Sequence, residues 1–295
     1  MNKLGIFMNF WEKNWDADHA KYIDKVAKIG FDILEFQAQP LLEMTDDHIR
    51  ELRKRADAAG IRLTYSLGLD PHYDVSSLDE SIRQGGVKYL QNIIRKMAVG
   101  GGDLLSGVSY AGWGTPDGIL DTKEPYLEQS VKSMKEIIRV AEDCGVTYCV
   151  EAVNRFETCI INTAAEALDY VARVGSPNIG VLLDTYHMNI EEKSFADAIR
   201  LVGADRLKSF HTGENNRTAP GRGHLPWDEI FGTLSEIGYK GPIVSEPFVM
   251  QGGEVGRDIH VFRDLVDNPC EATIDAEAAY LLHFEQDMLR KHHMA

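Results

Sequence analysis

Four apolar segments in the second half of the chain each end on one side chain that can bind a metal ion. The four residues are Glu151, Asp184, His211 and Glu246, and the run before each is of strand length and rich in aliphatic, β-branched or aromatic residues. Helix-period segments separate the runs, as is typical of parallel βα units. Because the carboxyl ends of parallel strands meet at one edge, we expect the four side chains to converge there.

Each of these residues, taken alone, has a simpler structural explanation. A lone carboxylate after a strand is more often the cap of the next helix or a salt-bridge partner, and a lone histidine is more often a core or surface residue. Capping alone does not readily produce four metal-capable residues at the same position of four successive units. We therefore predict one shared metal site.

The types of the four side chains indicate which metal and which reaction to expect. Oxygen and nitrogen ligands without a thiolate favour Mn²⁺, Mg²⁺ or Co²⁺ over a structural zinc. A six-coordinate cation would keep two positions for a substrate carbonyl and its neighbouring hydroxyl, which it would polarise as a Lewis acid. With Glu151 and Glu246 both present, one carboxylate can remove a proton and the other can return one. Return on the opposite face of the substrate would be an epimerisation.

Glycines mark the elements that must position these residues. Gly30, Gly60, Gly145 and Gly238 each follow a helix-period segment and precede an apolar run, as expected for helix ends in the left-handed conformation. The pattern predicts strands at 4–8, 32–36, 62–66, 103–108, 147–151, 179–183, 207–211 and 242–246. Eight such units predict a single (β/α)8 TIM barrel domain over residues 1–295, with a closing helix at 275–291 and a frayed tail. An open doubly wound sheet is disfavoured because no G-x-G-x-x-G follows the first strand.

The charge balance limits the partners of the chain. Lys and Arg number 31 and Asp and Glu number 46, so the net charge is 31 − 46 = −15. This acidity argues against nucleic acid and against an anionic membrane surface. The amino terminus does not resemble a signal peptide, no apolar stretch has the length of a membrane span, and the four cysteines lack a C-x-x-C spacing. We therefore expect a cytoplasmic protein with free thiols.

Further polar residues lie in the loops that follow the candidate ligands. Glu157, His187 and Arg217 follow the fifth, sixth and seventh strands and are expected to project over the metal. Any one of them alone would more simply be a loop salt-bridge residue. Trp11, Trp15, Trp113 and Phe248 follow other strands and could either wall the pocket or pack the top of the barrel.

Two glycine-containing loops keep a phosphorylated substrate open. Arg222 and Gly223, and the pair Gly252 and Gly253, occupy loops where barrels often hold phosphate.

Several segments together resemble one known family. They are EAVNRFE at 151–157, LDTYHMNIEE at 183–192, HTGENNR at 211–217, PGRG at 220–223 and EPF at 246–248. They are similar to the ketose 3-epimerases, the group of D-tagatose 3-epimerase and D-psicose (D-allulose) 3-epimerase. The resemblance covers nearly the whole chain and is most specific between residues 151 and 248.

The resemblance implies a fold, an activity and an assembly. The fold is a xylose isomerase-like TIM barrel, and the cofactor is Mn²⁺, with Co²⁺ or Mg²⁺ as substitutes. The reaction is epimerisation of free ketohexoses at carbon 3, between D-tagatose and D-sorbose or between D-fructose and D-psicose. It runs through a metal-bound cis-enediolate, and the family forms homodimers or homotetramers.

The resemblance also assigns roles to residues. Glu151 and Glu246 are both metal ligands and the acid/base pair, while Asp184 and His211 are ligands only. Contacts to the carbonyl end of the sugar come from Glu157, His187 and Arg217. The far end of the sugar is lined by Phe7, Trp15, Val108, Trp113 and Phe248. Phe7 replaces the Tyr of psicose-type members, and residues 107–114 also depart from that type, so the sequence leaves the preferred ketose open.

Four other functions compete with this interpretation. An aldose–ketose isomerase or a phosphorylated-ketose epimerase would use the same barrel and a similar metal. An abasic-site endonuclease of this fold would need more ligands on early strands and a basic groove, whereas the third strand here ends at Ser66. A sugar sensor without catalysis would be expected to have lost Glu151 or Glu246, and both are present.

Overall fold

The sheet of the computed structural model is a closed barrel of eight parallel strands that follow one another in sequence order. The structure describes residues 2–16, 18–116, 119 and 121–294. The strands are β1 Leu4–Phe7, β2 Ile33–Gln37, β3 Arg62–Ser66, β4 Leu104–Ser106, β5 Thr147–Ala152, β6 Ile179–Asp184, β7 Leu207–Thr212 and β8 Ile243–Ser245. Each bound lies within two residues of its predicted position, and the predicted TIM barrel is confirmed.

The α-helices of the described residues surround and close this barrel. They are α1 His19–Ile29, α2 Asp46–Ala59, α3 Glu80–Val99, α4 Glu124–Cys144, α5 Ala164–Val174, α6 Thr185–Glu191, α7 Phe195–Arg206, α8 Trp227–Glu236, α9 Gly253–Asp258 and α10 Glu271–Lys291. None of them combines the length and the apolar character that crossing a membrane requires.

Local sequence signals explain where the helices begin and end. At the start of α2 the Thr45 hydroxyl accepts a hydrogen bond from the backbone N–H of His48 over 3.2 Å, which satisfies one of the free donors of the first turn. At its end Gly60 has a φ of 72°, a conformation that residues with a Cβ rarely adopt. Helix α4 ends in the same way at Gly145, with a φ of 68°. Each of these glycines ends its helix two residues before the next strand begins, β3 at Arg62 and β5 at Thr147.

Helix α10 closes the chain against α1 and α8. It begins at Glu271, four residues before the predicted start. The prediction of a frayed tail after it is wrong for residues 292–294, because Met294 is buried and its carbonyl accepts a hydrogen bond from the backbone N–H of Asn2 over 3.2 Å, while residue 295 lies outside the described residues. The contact joins the tail to the segment that leads into β1.

One carboxylate of α10 is buried at the ends of β7 and β8. Glu285 is 0% exposed, and its Oε1 accepts hydrogen bonds from Thr212 Oγ1 at 2.5 Å and Ser245 Oγ at 2.9 Å, while its Oε2 has no hydrogen-bond partner in the described part of the chain. Burial raises the pKa of Glu285 to about 7, although the two hydroxyl groups act in the opposite direction. The folded protein therefore holds a proton that the unfolded chain releases at lower pH.

The stability of the Glu285→Gln variant relative to the wild type should rise with pH. With an unfolded-state pKa near 4.3, the contribution of Glu285 to stability is fully present below that pH and is lost as the pH rises through 7, by about 4 kcal/mol in total. Urea unfolding midpoints measured across this range test the slope. The exposed Glu128→Gln on α4 is the matched control and should keep the wild-type slope. Parallel curves for wild type and Glu285→Gln would contradict the assignment.

Candidate active site

The four metal-capable residues converge at the carboxyl edge of the barrel. Glu151 lies in β5, Asp184 ends β6, His211 lies in β7 and Glu246 directly follows β8. One ligand atom from each lies within 4.8 Å of all the others, and all four residues are buried. Asp184 and His211 are register partners on adjacent strands. The predicted convergence is therefore present in the structure.

Asp184 caps a helix and also faces the cluster. Its Oδ1 accepts a hydrogen bond from the backbone N–H of Tyr186 over 2.6 Å, which caps α6. Its Oδ2 is buried, has no hydrogen-bond partner among the residues that the structure describes, and lies 3.7 Å from Arg217 Nη1. Capping thus uses one oxygen of the carboxylate and leaves the other for a ligand.

Several buried polar atoms of the cluster lack partners among the described residues. These atoms are Glu151 Oε1, Asp184 Oδ2 and His211 Nδ1. Burying polar atoms without partners is costly, and native structures rarely leave them so. A cation at the centre of the cluster would satisfy all three, so the donor set fits a divalent metal.

The two glutamates differ in their electrostatic surroundings. Burial, reinforced by the negative charge of Glu246, raises the pKa of Glu151 well above its ordinary value. Burial acts in the same direction on Glu246, but His211 and Arg217 outweigh it and lower the pKa of that carboxyl. The two carboxyl groups therefore have different proton affinities before any ligand is bound.

A carboxylate on β2 contacts His211 from below the cluster. Glu35 is 0% exposed, its Oε1 lies 3.0 Å from His211 Nε2, and its Oε2 accepts a hydrogen bond from Thr64 Oγ1 over 2.9 Å. Nδ1 of the ring faces Glu246 Oε2 at 3.7 Å. A carboxylate on the far nitrogen orients a metal-binding histidine. Sequence reasoning gave Glu35 no role, although a charged residue inside an apolar strand was a usable signal.

Glu157, His187 and Arg217 meet above the cluster, as predicted. His187 Nε2 lies 3.5 Å from Glu151 Oε1 and 3.7 Å from Glu157 Oε2. Arg217 Nη2 lies 3.5 Å from Glu157 Oε1, and Nη1 lies 3.4 Å from Glu246 Oε2. The guanidinium also stacks on Tyr186, with Cζ 3.9 Å from the ring centroid.

The loop that carries Arg217 is held by a buried carboxylate. Arg217 has a φ of 65°, which is unusual for a residue with a Cβ. Oε1 of Glu214 accepts hydrogen bonds from the backbone N–H of Gly221 at 2.8 Å and from Trp227 Nε1 at 2.6 Å. The surrounding contacts thus hold Arg217 in a strained conformation, as is common at functional sites. Sequence reasoning assigned no role to Glu214.

A cavity of about 1150 Å³ opens above the cluster. Its wall includes the five residues expected at the far end of a substrate, which are Phe7, Trp15, Val108, Trp113 and Phe248.

Aromatic contacts fix this wall. Phe248 packs edge-on against Phe7 and Trp15, with ring centroids 6.0 Å and 6.5 Å apart, and Trp15 Nε1 donates to Asp258 Oδ2 over 2.9 Å. Trp11 is not part of the wall. It stacks on Tyr22 and donates a hydrogen bond from Nε1 to Asp275, so α1 and α10 hold it away from the cavity.

In the first of the two loops considered for phosphate, Arg222 and Gly223 are engaged in contacts with other residues. Arg222 pairs with Glu277 at 2.9 Å and lies over Tyr280, with Cζ 3.6 Å from the ring centroid. Gly223 packs so closely on Glu214 that an added Cβ would lie 2.3 Å from Oε2. Arg222 is therefore engaged with α10, not with the cavity.

Comparisons with known proteins agree with this geometry. A model of the xylose isomerase-like TIM barrel family matches residues 23–267. The D-psicose 3-epimerase of Ruminiclostridium cellulolyticum is 43% identical over 290 residues, covering 98% of this chain and 99% of that protein. Among solved structures, D-psicose 3-epimerase with D-tagatose from Clostridium cellulolyticum H10 superimposes with a TM-score of 0.94 at 43% identity, covering 97% of this chain and 99% of that one. A D-psicose 3-epimerase in the presence of D-fructose gives the same TM-score at 39% identity, with the same coverage of both chains.

Proposed function

Because the chain belongs to the ketose 3-epimerases of the xylose isomerase-like TIM barrel family, we propose that it epimerises free ketohexoses at carbon 3. The expected pairs are D-tagatose with D-sorbose and D-fructose with D-psicose. The observation that carries the proposal is the buried cluster of three carboxylates and one imidazole. Two of the carboxylates, Glu151 and Glu246, line a cavity of about 1150 Å³, which is large enough for a hexose.

Glu151, Asp184, His211 and Glu246 would hold the metal, which we propose to be Mn²⁺, with Co²⁺ or Mg²⁺ as substitutes. When bound, it would supply Lewis-acid polarisation of the substrate carbonyl and the adjacent hydroxyl. The buried oxygen and nitrogen atoms without partners support this assignment. The absence of a thiolate from the set supports Mn²⁺ over structural zinc.

Glu151 and Glu246 would carry the proton. One carboxylate removes the hydrogen from carbon 3, and the charge is delocalised onto the oxygen of carbon 2 as an enediolate. The other glutamate returns a proton to the opposite face of carbon 3, which inverts that centre. General acid–base groups contribute about 10² to 10⁴ each to such steps. Glu157, His187 and Arg217 would bind the carbonyl end of the ketose.

The charge of the cavity favours a free sugar over a phosphorylated one. Among the described residues that line it, guanidinium groups come from Arg217 and Arg257, whereas carboxylates come from Asp16, Glu43, Asp70, Glu151, Glu157, Glu246, Glu254 and Asp258. A phosphate dianion would face net repulsion here. The engagement of Arg222 with Glu277 removes a further phosphate contact.

Product identification tests the proposal against the isomerase alternative. The metal-loaded protein is incubated with D-fructose, D-tagatose or L-ribulose, and the products are separated by chromatography. Epimeric ketoses are expected. Formation of an aldose from any of these substrates, without the 3-epimer, would assign the site to an aldose–ketose isomerase instead.

Other properties are proposed on the resemblance and the composition. We propose that residues 1–295 form one structural domain, that the protein is cytoplasmic, and that it assembles as a homodimer or homotetramer. We expect neither nucleic acid nor membrane as a partner, because the net charge is −15.

Substitution of Phe7 by Tyr should change the preference between ketoses. The carbonyl end is common to all ketoses, so discrimination depends on the aromatic wall, where Phe7 contacts Phe248. An added hydroxyl that bonds a distal sugar oxygen contributes about 0.5 to 1.5 kcal/mol. The ratio of kcat/KM for D-fructose to that for D-tagatose should then shift by roughly 2-fold to 13-fold.

The matched control is Phe262→Tyr, because Phe262 is 74% exposed. It should leave the ratio unchanged. If Phe7→Tyr also left the ratio unchanged while both sugars were turned over, Phe7 would not contact the part of the sugar that distinguishes them.

A further inference from the structure

His187 is held between N–H groups at both of its ring nitrogens. The backbone N–H of Asn154 donates to Nδ1 over 3.1 Å, and Asn154 Nδ2 lies 2.9 Å from the same atom. Arg217 Nη2 lies 3.3 Å from Nε2. A ring nitrogen that accepts a hydrogen bond carries no proton, so the contacts at Nδ1 decide where the ring proton lies.

The orientation of the Asn154 amide is fixed by its other contacts. Its Oδ1 accepts a hydrogen bond from the backbone N–H of Phe156 over 2.9 Å. Its Nδ2 consequently faces two acceptors, Glu157 Oε1 at 2.9 Å and His187 Nδ1. Two N–H groups thus point at Nδ1, and one of them belongs to the backbone, which cannot become an acceptor. Nδ1 must accept, and the single ring proton is on Nε2.

With that proton on Nε2, the contact between His187 and Arg217 joins two donors. Arg217 has carboxylate partners elsewhere, at 3.5 Å in Glu157 and 3.4 Å in Glu246. His187 Nε2 faces two carboxylates, Glu151 at 3.5 Å and Glu157 at 3.7 Å, and neither is closer than that. Both donors line the cavity, so an acceptor atom entering from it would satisfy them together.

We propose that Asn154 is a positioning residue that holds His187 as the Nε2–H tautomer, so that His187 and Arg217 donate together to one substrate oxygen. The identity of that oxygen rests on the proposed function. It is the carbonyl oxygen of carbon 2, which gains negative charge as the proton leaves carbon 3. Donors fixed in advance at a developing charge stabilise the transition state more than the ground state. The opposite tautomer would direct a lone pair at the same oxygen.

Nitrogen NMR of the Mg²⁺-loaded protein labelled with ¹⁵N-histidine tests the tautomer. The His187 signals are assigned by their loss in His187→Gln. In the wild type near neutral pH we expect an unprotonated Nδ1 and a protonated Nε2. The Asn154→Asp variant keeps the acceptor for the Phe156 N–H but replaces the side-chain donor beside Nδ1 with a carboxylate oxygen. The charged oxygen should outweigh the remaining backbone N–H at Nδ1, so a proton should move to Nδ1. Its kcat should fall about 10²-fold or more, as on loss of a transition-state donor, with a smaller change in KM.

Asn162→Asp is the matched control in the same loop. Asn162 Nδ2 donates to the carbonyls of Val153 at 2.9 Å and Thr158 at 2.8 Å but does not contact His187. It should leave the His187 signals unchanged, whatever its effect on stability. A wild-type His187 protonated on Nδ1 would overturn the proposal, even if Asn154→Asp did not fold. So would a folded Asn154→Asp protein with wild-type signals and kcat. The NMR result needs no turnover, so it stands apart from any failure of the epimerase assignment.

Discussion

Replacing either Glu151 or Glu246 by Gln should reduce kcat by at least about 10³-fold, near the upper part of the range for general acid–base catalysis. Each substitution removes a proton carrier from a cluster in which the ligand atoms lie within 4.8 Å of one another. Gln keeps the shape of the side chain, so packing at the ends of β5 and β8 should survive. Steady-state rates with D-fructose and D-tagatose, measured alongside the metal content of each variant, provide the test.

The exposed Glu128→Gln is a suitable control here too, because it makes the same chemical change on α4, outside the cavity. It should keep the wild-type rate. A tenth of the wild-type kcat in Glu151→Gln or Glu246→Gln, with metal bound, would mean that the altered residue does not carry the proton.

Removal of the metal should abolish activity, and Mn²⁺ or Co²⁺ should restore it. Without a cation, the buried atoms Glu151 Oε1, Asp184 Oδ2 and His211 Nδ1 find no hydrogen-bond partner among the described residues, and the four side chains of the cluster cannot polarise a carbonyl as a Lewis acid. Dialysis against a chelator, elemental analysis and titration of each metal give the comparison. Circular dichroism before and after chelation separates loss of the cofactor from loss of the fold. Undiminished turnover of a protein shown to contain no metal would contradict the assignment.

Repeating local patterns made the barrel predictable. Each strand after β1 is an apolar run that follows a helix, and glycines such as Gly60 and Gly145 mark the junctions with a backbone conformation that few other residues adopt. The four metal-capable residues were found for the same reason, since parallel strands bring their last residues to one edge. A pattern that recurs along the sequence can be recognised from neighbouring residues alone, without knowing which distant segments are in contact.

The parts that were missed or wrong depend on contacts between distant segments. Trp11 follows β1 as Trp15 does, but a hydrogen bond to Asp275, 264 residues away, holds it outside the cavity. Met294 near the carboxyl end is held by a hydrogen bond from Asn2 near the amino end. The role of Asn154 depends on which of its atoms faces His187, which only three-dimensional coordinates supply.

The contact of Glu35 with His211 links the two halves of the barrel at the metal cluster. Three of the metal-capable residues belong to β5, β6 and β7 and Glu246 directly follows β8, whereas Glu35 belongs to β2 and reaches His211 across the barrel interior. A half-barrel fragment from residue 147 onwards would contain all four candidate ligands and would lack the carboxylate that lies beside His211 Nε2. If the four residues bind a metal as proposed, the described part of the amino-terminal half would supply a carboxylate behind one ligand and no ligand itself.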